Sequence, residues 1–142
     1  MSLLVKTEQA MVDVVKSLGI AGLTVNRGMS EDELVAPYVV CFAESVGDEE
    51  IADSSIFHIN CEVRVVTQPD DSPTSLSDQR ELVEKVFGVF NNPATESDLS
   101  EAVLGFYCYQ VDFQGQESNP SEDRKWENTL TLDLLCCETD IS

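Results

Sequence analysis

The stretch Phe57-His58-Ile59-Asn60-Cys61-Glu62-Val63-Arg64-Val65-Val66-Thr67 decides the fold. Phe57, Ile59, Cys61, Val63 and Val65 fall on one parity; His58, Asn60, Glu62 and Arg64 fall on the other. Alternation with period two buries one face of a strand and leaves the other polar. The strand must end at Gln68-Pro69-Asp70-Asp71-Ser72-Pro73, because proline has no amide to give a ladder. A helix follows over residues 78–90. Asp78 and Glu81 match a capping box, and Leu82, Val83, Val86, Phe87, Val89 and Phe90 form a broad apolar face. Asn91-Asn92-Pro93 stops it.

Upstream, residues 2–18 read as a helix with Leu4, Met11, Val15 and Leu18 on one stripe. Ser2 suits its N-cap and Gly19 its C-terminal stop. Leu3, Val5, Val12 and Val14 widen the apolar surface, so the helix is packed on two sides or shared with a neighbouring subunit. Leu23-Thr24-Val25 reads as a short strand. The run Tyr38-Val39-Val40-Cys41-Phe42-Ala43 is apolar throughout, as in a strand buried on both faces. The polar, acidic residues 45–55 join it to the opening strand as an antiparallel hairpin with a long tip.

Downstream, residues 95–103 suit a short helix capped by Thr95 or Ser97. In residues 106–113, Tyr107, Tyr109, Val111 and Phe113 share one face, and Cys108, Gln110 and Asp112 the other. Residues 114–125 carry Gly, Asn, Pro and Ser and read as a loop. The last strand, 126–137, directs Trp126, Leu130, Leu132, Leu134 and Cys136 one way and Glu127, Thr129, Thr131 and Asp133 the other. These strands form a second antiparallel hairpin. The expected fold is α+β in a single domain over residues 1–142. It is a mainly antiparallel sheet of about four to five strands with helices packed on one face.

Charge narrows the function. The chain has 27 acidic residues against 8 Lys and Arg, a formal charge of −19. Such a surface repels phosphates and anionic membranes, which excludes direct sequence-specific DNA binding. What remains is a solubility surface, a mimic of DNA, or a wall that nucleic acid passes without sticking. No apolar run approaches the ~20 residues of a membrane helix. Lys6, Glu8, Asp13 and Lys16 interrupt the N-terminus, unlike a signal peptide. The five cysteines, Cys41, Cys61, Cys108, Cys136 and Cys137, sit in apolar strand contexts without a C-x-x-C. They read as core residues of a protein kept in a cytosol-like compartment.

Catalytic signatures are missing from the sequence. It has no phosphate-binding glycine loop, no G-x-S-x-G elbow and no H-E-x-x-H pair. His58, the lone histidine, and Cys61 fall on opposite strand faces. No catalytic residue, cofactor or metal site is expected, and the chain does not read as an enzyme.

The chain resembles the tail terminator (tail-completion) proteins of long-tailed bacteriophages. The resemblance rests on the N-terminal helix, Pro37-Tyr38-Val39-Val40, and Val63-Arg64-Val65-Val66 entering Thr67-Gln68-Pro69-Asp70-Asp71. It continues through the helix at 79–90 and the final strand beginning Arg124-Lys125-Trp126-Glu127-Asn128. It implies a structural virion protein of the tail, assembled in the host cytoplasm as a homohexameric ring. The ring caps the tail tube, offers a joining surface to the head-tail connector or neck protein, and lets DNA through a repelling acidic channel. Partner-facing candidates under this resemblance are Asp48, Glu49, Glu50 and Asp53 at the first hairpin tip and Asp70 and Asp71 in the exit loop. Glu117, Glu122, Asp123 and Arg124 stand at the second tip. The helix at 2–18 is a further interface candidate. The alternatives are an acidic DNA-mimic inhibitor of a DNA-binding protein, a neighbouring neck or tail-tube subunit, and an accessory domain.

Overall fold

The computed structural model describes residues 3–28, 37–46, 56–68, 75–120 and 125–139. Along the chain these form α1 (Leu3–Lys16), β1 (Thr24–Arg27), β2 (Tyr38–Val46), β3 (Ile56–Thr67), α2 (Ser75–Gly88), α3 (Thr95–Ala102), β4 (Phe106–Pro120) and β5 (Trp126–Glu138). The five strands make one sheet in the order β1-β2-β3-β5-β4. β3 lies in the middle, antiparallel to both β2 and β5. β4 pairs antiparallel with β5, and β1 runs parallel to β2. The fold is α+β, with a mixed sheet and three helices packed against it.

The alternation of β3 explains the layering. Ile59, Cys61, Val63 and Val65 are buried, and their cross-strand partners on β5 include Leu134, Leu132 and Leu130. Val39, Cys41 and Ala43 of β2 continue the same face and pair with Val65, Val63 and Cys61. Met11 and Val15 of α1, Val86 and Phe90 of α2 and Leu99 of α3 join that core. Full burial of each such side chain contributes about 1.5–3 kcal/mol. β2 is buried on both faces, since Tyr38 and Val40 cluster with Val66 on the opposite side.

α1 is buried almost all round. Leu3, Thr7, Ala10, Met11, Val12, Val14 and Val15 are covered within the chain itself, so most of its broad apolar surface is core. Gly19 follows at φ +65°, the left-handed stop expected after the helix. Glu8 is the exception to an apolar helix. β1 spans only the Tyr38–Cys41 part of β2, and beyond it the Ala43 amide donates to Glu8 Oε2 at 2.9 Å. Arg27 Nε stands 3.9 Å from the other carboxylate oxygen. A buried carboxylate is tolerable with such partners.

Three expectations are corrected. First, α2 starts at Ser75, so Asp78 lies in its first turn and is not its N-cap; the helix ends at Gly88, two residues before Phe90. Second, α3 is preceded by Ala94 and has no side-chain cap bond at its start. Thr95 Oγ1 instead lies within hydrogen-bond distance of the Val89 and Asn92 carbonyls, tying the turn between helices. Third, residues 114–120 are strand. β4 extends to Pro120 and pairs with β5 up to Pro120 opposite Trp126. Pairing with a long partner overrides the turn-forming composition there.

β4 also departs from simple alternation. Its register slips between Cys108 and Gln110 and between Phe113 and Gly115, leaving Tyr109 and Gln114 as extra residues. Each bulge flips the parity of the residues beyond it. Phe106 and Cys108 are therefore core residues, Tyr107 and Tyr109 are exposed, and Val111 returns to the core side.

The layering predicts a sharp contrast between neighbouring positions on β5. Leu132→Ala removes a fully buried side chain and is expected to cost about 2–5 kcal/mol in chemical denaturation. Thr131→Ala, on the exposed face next to it, is expected to stay within about 0.5 kcal/mol of the parent. Equal losses at both positions would contradict the assigned faces.

Candidate functional site

The sheet face turned away from the helices is polar over the middle of β3 and β5 and apolar where Tyr38, Val40 and Val66 cluster. His58, Asn60, Glu62 and Arg64 stand on it beside Glu127, Thr129, Thr131 and Asp133 of β5. His58 Nδ1 lies 2.9 Å from Asp133 Oδ2. Arg64 reaches Glu62 at 2.6 Å and Glu127 at 2.7 Å. All of these side chains are 20–39 % exposed, so each pair is worth about 0–1 kcal/mol. Asp133 Oδ1 is buried and has no hydrogen-bond partner among the described residues. Asp112 of β4 sits directly opposite Asp133 in the register, and Glu117 lies further along β4 opposite Thr129. Carboxylates dominate this face even after Arg64 is counted.

The chemistry available is electrostatic. His58 stands with Asp133 on this face while Cys61 is buried on the other, so they do not form a pair. All five thiols are buried and unbridged. Burial pushes Cys61 well up, and pushes Cys41 up with help from Glu8. Cys136 is also raised, by its hydrogen bond with Cys108 and then by burial. Thiols held protonated at neutral pH are poor nucleophiles and poor metal ligands. Among the described residues no group of three or more His, Cys, Asp or Glu is arranged to hold a metal.

Of the partner-facing residues expected from the sequence, Glu117 alone falls among the described residues. It is exposed, but it sits within β4 and not in a hairpin loop. Asp48, Glu49, Glu50, Asp53, Asp70, Asp71, Glu122, Asp123 and Arg124 lie outside the described residues.

A second surface was not singled out from the sequence. Among the described residues the exposed large hydrophobic ones are Leu104, Tyr107, Tyr109 and Phe113, at 80 %, 45 %, 49 % and 37 % exposure. All fall within β4 or just before it. The Tyr107 and Tyr109 rings meet edge to face at 4.6 Å, and Cys137 Sγ approaches the Tyr109 hydroxyl at 3.7 Å. The shared parity of Tyr107 and Tyr109 was legible; their placement on an outer strand was not. A groove of about 270 Å³ runs between α2 and the β4–β5 hairpin, with Val83 and Trp126 in its lining.

No protein-family model and no curated protein matches this chain. Solved structures that share the fold include a chain of the "Virion of native gene transfer agent (GTA) particle". The match has a TM-score of 0.54 and 13 % identity, and covers 95 % of this chain and 92 % of that one. At that identity the likeness is one of fold, extending over the whole chain.

The buried thiols give a direct test of a non-nucleophilic role. Ellman's reagent is expected to leave the native protein almost unlabelled and to titrate five thiols in denaturant. One fast-reacting native thiol would refute this. The raised thiols also fix an alkaline limit. Above the ordinary thiol value of 9.0 the unfolded chain loses protons that the folded one keeps. Stability should therefore fall as pH rises past about 9, by up to about 1.4 kcal/mol per pH unit for each such thiol. Denaturation midpoints from pH 8 to about 10.5 measure this, and Cys61→Ala should flatten the decline.

Proposed function

We propose that this protein is a structural subunit of a phage-type tail, in the role of a tail terminator. The single observation that carries the reading is the end-to-end fold likeness to a chain of a virion particle. The sequence resemblance, drawn from different features, leads to the same class. In this role copies of the chain close into a ring, six by the resemblance. The ring caps the tail tube and presents a surface to the connector or neck protein. Contacts in such a ring are head-to-tail and closed by rotation.

The charge then has a physical task. Each subunit contributes −19, and a ring concentrates that charge around one axis. A channel wall rich in carboxylates repels the phosphate backbone within about a Debye length, roughly 8 Å at physiological salt. DNA passes without adhering, and the protein needs no base contacts and no catalysis. A DNA mimic draws less support. Such a mimic presents unpaired carboxylates, whereas Glu62 and Glu127 are tied to Arg64, and Asp133 to His58.

The test is a deletion of the corresponding gene in the particle-producing host, with the tails imaged by electron microscopy. Tails of unregulated length, or finished tails without heads, are expected. Tails of normal length joined normally to heads would overturn the role.

A further inference from the structure

The five thiols are not equivalent in register. Cys108 of β4 stands directly opposite Cys136 of β5, and both are buried on the core side of the sheet. Backbone contacts give the class of this pair. The Thr139 amide donates to the Gly105 carbonyl at 2.9 Å, so those two residues form a hydrogen-bonded pair. Bonded and non-bonded pairs alternate along an antiparallel ladder. Counting through Phe106–Glu138 and Tyr107–Cys137, Cys108–Cys136 is a non-hydrogen-bonded pair. The Cys108 amide agrees, since it donates to Ser100 Oγ of α3 at 2.9 Å and so points away from β5. In such pairs the Cα atoms stand about 4.5 Å apart and the side chains approach most closely. That separation lies within the range of about 4.4–6.8 Å that a disulfide spans. The two thiols are already hydrogen-bonded to one another.

The other cysteines are placed differently. Cys41 faces Val63 and Cys61 faces Ala43, so these two are diagonal neighbours on β2 and β3. Diagonal Cα atoms are about 7–8 Å apart, beyond the reach of a bridge. Cys61 faces Leu132 on β5, four residues from Cys136, or roughly 13 Å along the strand. Cys137 alternates to the opposite face, where it meets the Tyr109 hydroxyl at 3.7 Å.

We propose that Cys108 and Cys136 are a disulfide site, open as two thiols in a reducing cytosol and closed as a cross-strand bridge in an oxidising medium. The oxidant is a low-molecular-weight disulfide. The Cys108 thiolate attacks one of its sulfurs, breaking that S–S bond and expelling one thiolate. Cys136 gives its proton to solvent, and its sulfur then attacks Cys108 Sγ and expels the second thiolate. Both expelled thiolates take up protons. Two protein thiols are thereby oxidised by two electrons and one small disulfide is reduced to two thiols. Because both sulfurs are buried, the exchange proceeds while the chain folds or when the β4 edge opens from under α3. Among the described residues β4 has β5 as its one strand neighbour. The bridge ties the start of this outer strand to β5 and closes a loop around the rest of the hairpin. Such closure restricts the unfolded chain and stabilises the folded one. The site is independent of the tail role.

The experiment uses the full-length chain, unfolded under reducing conditions, then refolded and held in a mixture of oxidised and reduced glutathione. Free thiols are alkylated and counted by intact mass. Cleavage after Arg124 and Lys125 separates Cys108 from Cys136, and fragmentation distinguishes Cys136 from Cys137. The five thiols are expected to fall to three, with a single cross-link joining Cys108 to Cys136. The oxidised protein is expected to keep the circular dichroism of the reduced form and to unfold at higher denaturant, a shift that dithiothreitol reverses. Cys108→Ala and Cys136→Ala are each expected to retain all four remaining thiols in the same buffer. Five free thiols in the refolded parent, or a cross-link between any other two cysteines, would overturn the site. A Cys108–Cys136 cross-link that lowers the midpoint or abolishes the native circular dichroism would also overturn it, because the bridge would then not fit the fold.

Discussion

The fold depends on the requirement that β3 bury one parity of its side chains on both sides at once. Cys61 and Val63 have partners on β2 and on β5, namely Ala43, Cys41, Leu132 and Leu130, and each of these is apolar or a thiol. A slip of one residue against either neighbour would carry His58, Asn60, Glu62 and Arg64 into the core. Burying four polar side chains without partners costs far more than the protein's whole margin of stability. The register is therefore fixed, and with it the identity of the polar face. Everything else is attached to that choice. α1 crosses the sheet because the buried parity needs a cover, and Glu8 is tolerated there because β1 is too short to satisfy Ala43.

The same constraint sorts the charge. With the helices committed to one face, the strand-borne carboxylates must share the other. Asp112 and Asp133 are brought opposite one another, and Arg64 and His58 stand among the acids as partners. Such crowding does not help the isolated subunit fold. Like charges directly opposite on neighbouring strands oppose pairing. That cost is offset by the apolar burial on the other face of the same strands.

Much of this was legible from residue order. Phe57 to Val65 disclosed its two faces because period-two alternation has no competing helical reading there. Tyr38 to Ala43 disclosed a doubly buried strand because it lacks polar positions altogether. The helix at α1 and its stop at Gly19 followed from periodicity and glycine's conformational freedom. β4 was only half legible. Its bulge at Tyr109 changes parity through pairing with β5, and no local residue pattern announces that. Residues 114–120 have the composition of a loop and become strand because β5 holds a ladder open for them. The cap of α2 failed for a related reason. Asp78 and Glu81 satisfy the capping pattern, yet the helix begins a turn earlier. The parallel pairing of β1 with β2 depends on the path between them, which alternation does not encode.

The half-legible strand is also where the subunit is least finished. β3, β2 and β5 each have neighbours on both sides, whereas β4 loses its cover just past Cys108, where Ser100 ends its protection. The two bulges isolate four regular residues at that point, with aromatic side chains beside them. Bulges generally disrupt edge pairing, and here they confine the regular stretch between them to residues 110–113. Irregularity in β4 thus follows from two demands on one strand. It must complete the core with Phe106, Cys108 and Val111, and it must not present a long regular edge to chance pairing. A uniformly alternating strand would meet the first demand and present an unbroken fifteen-residue edge, open to pairing in any register.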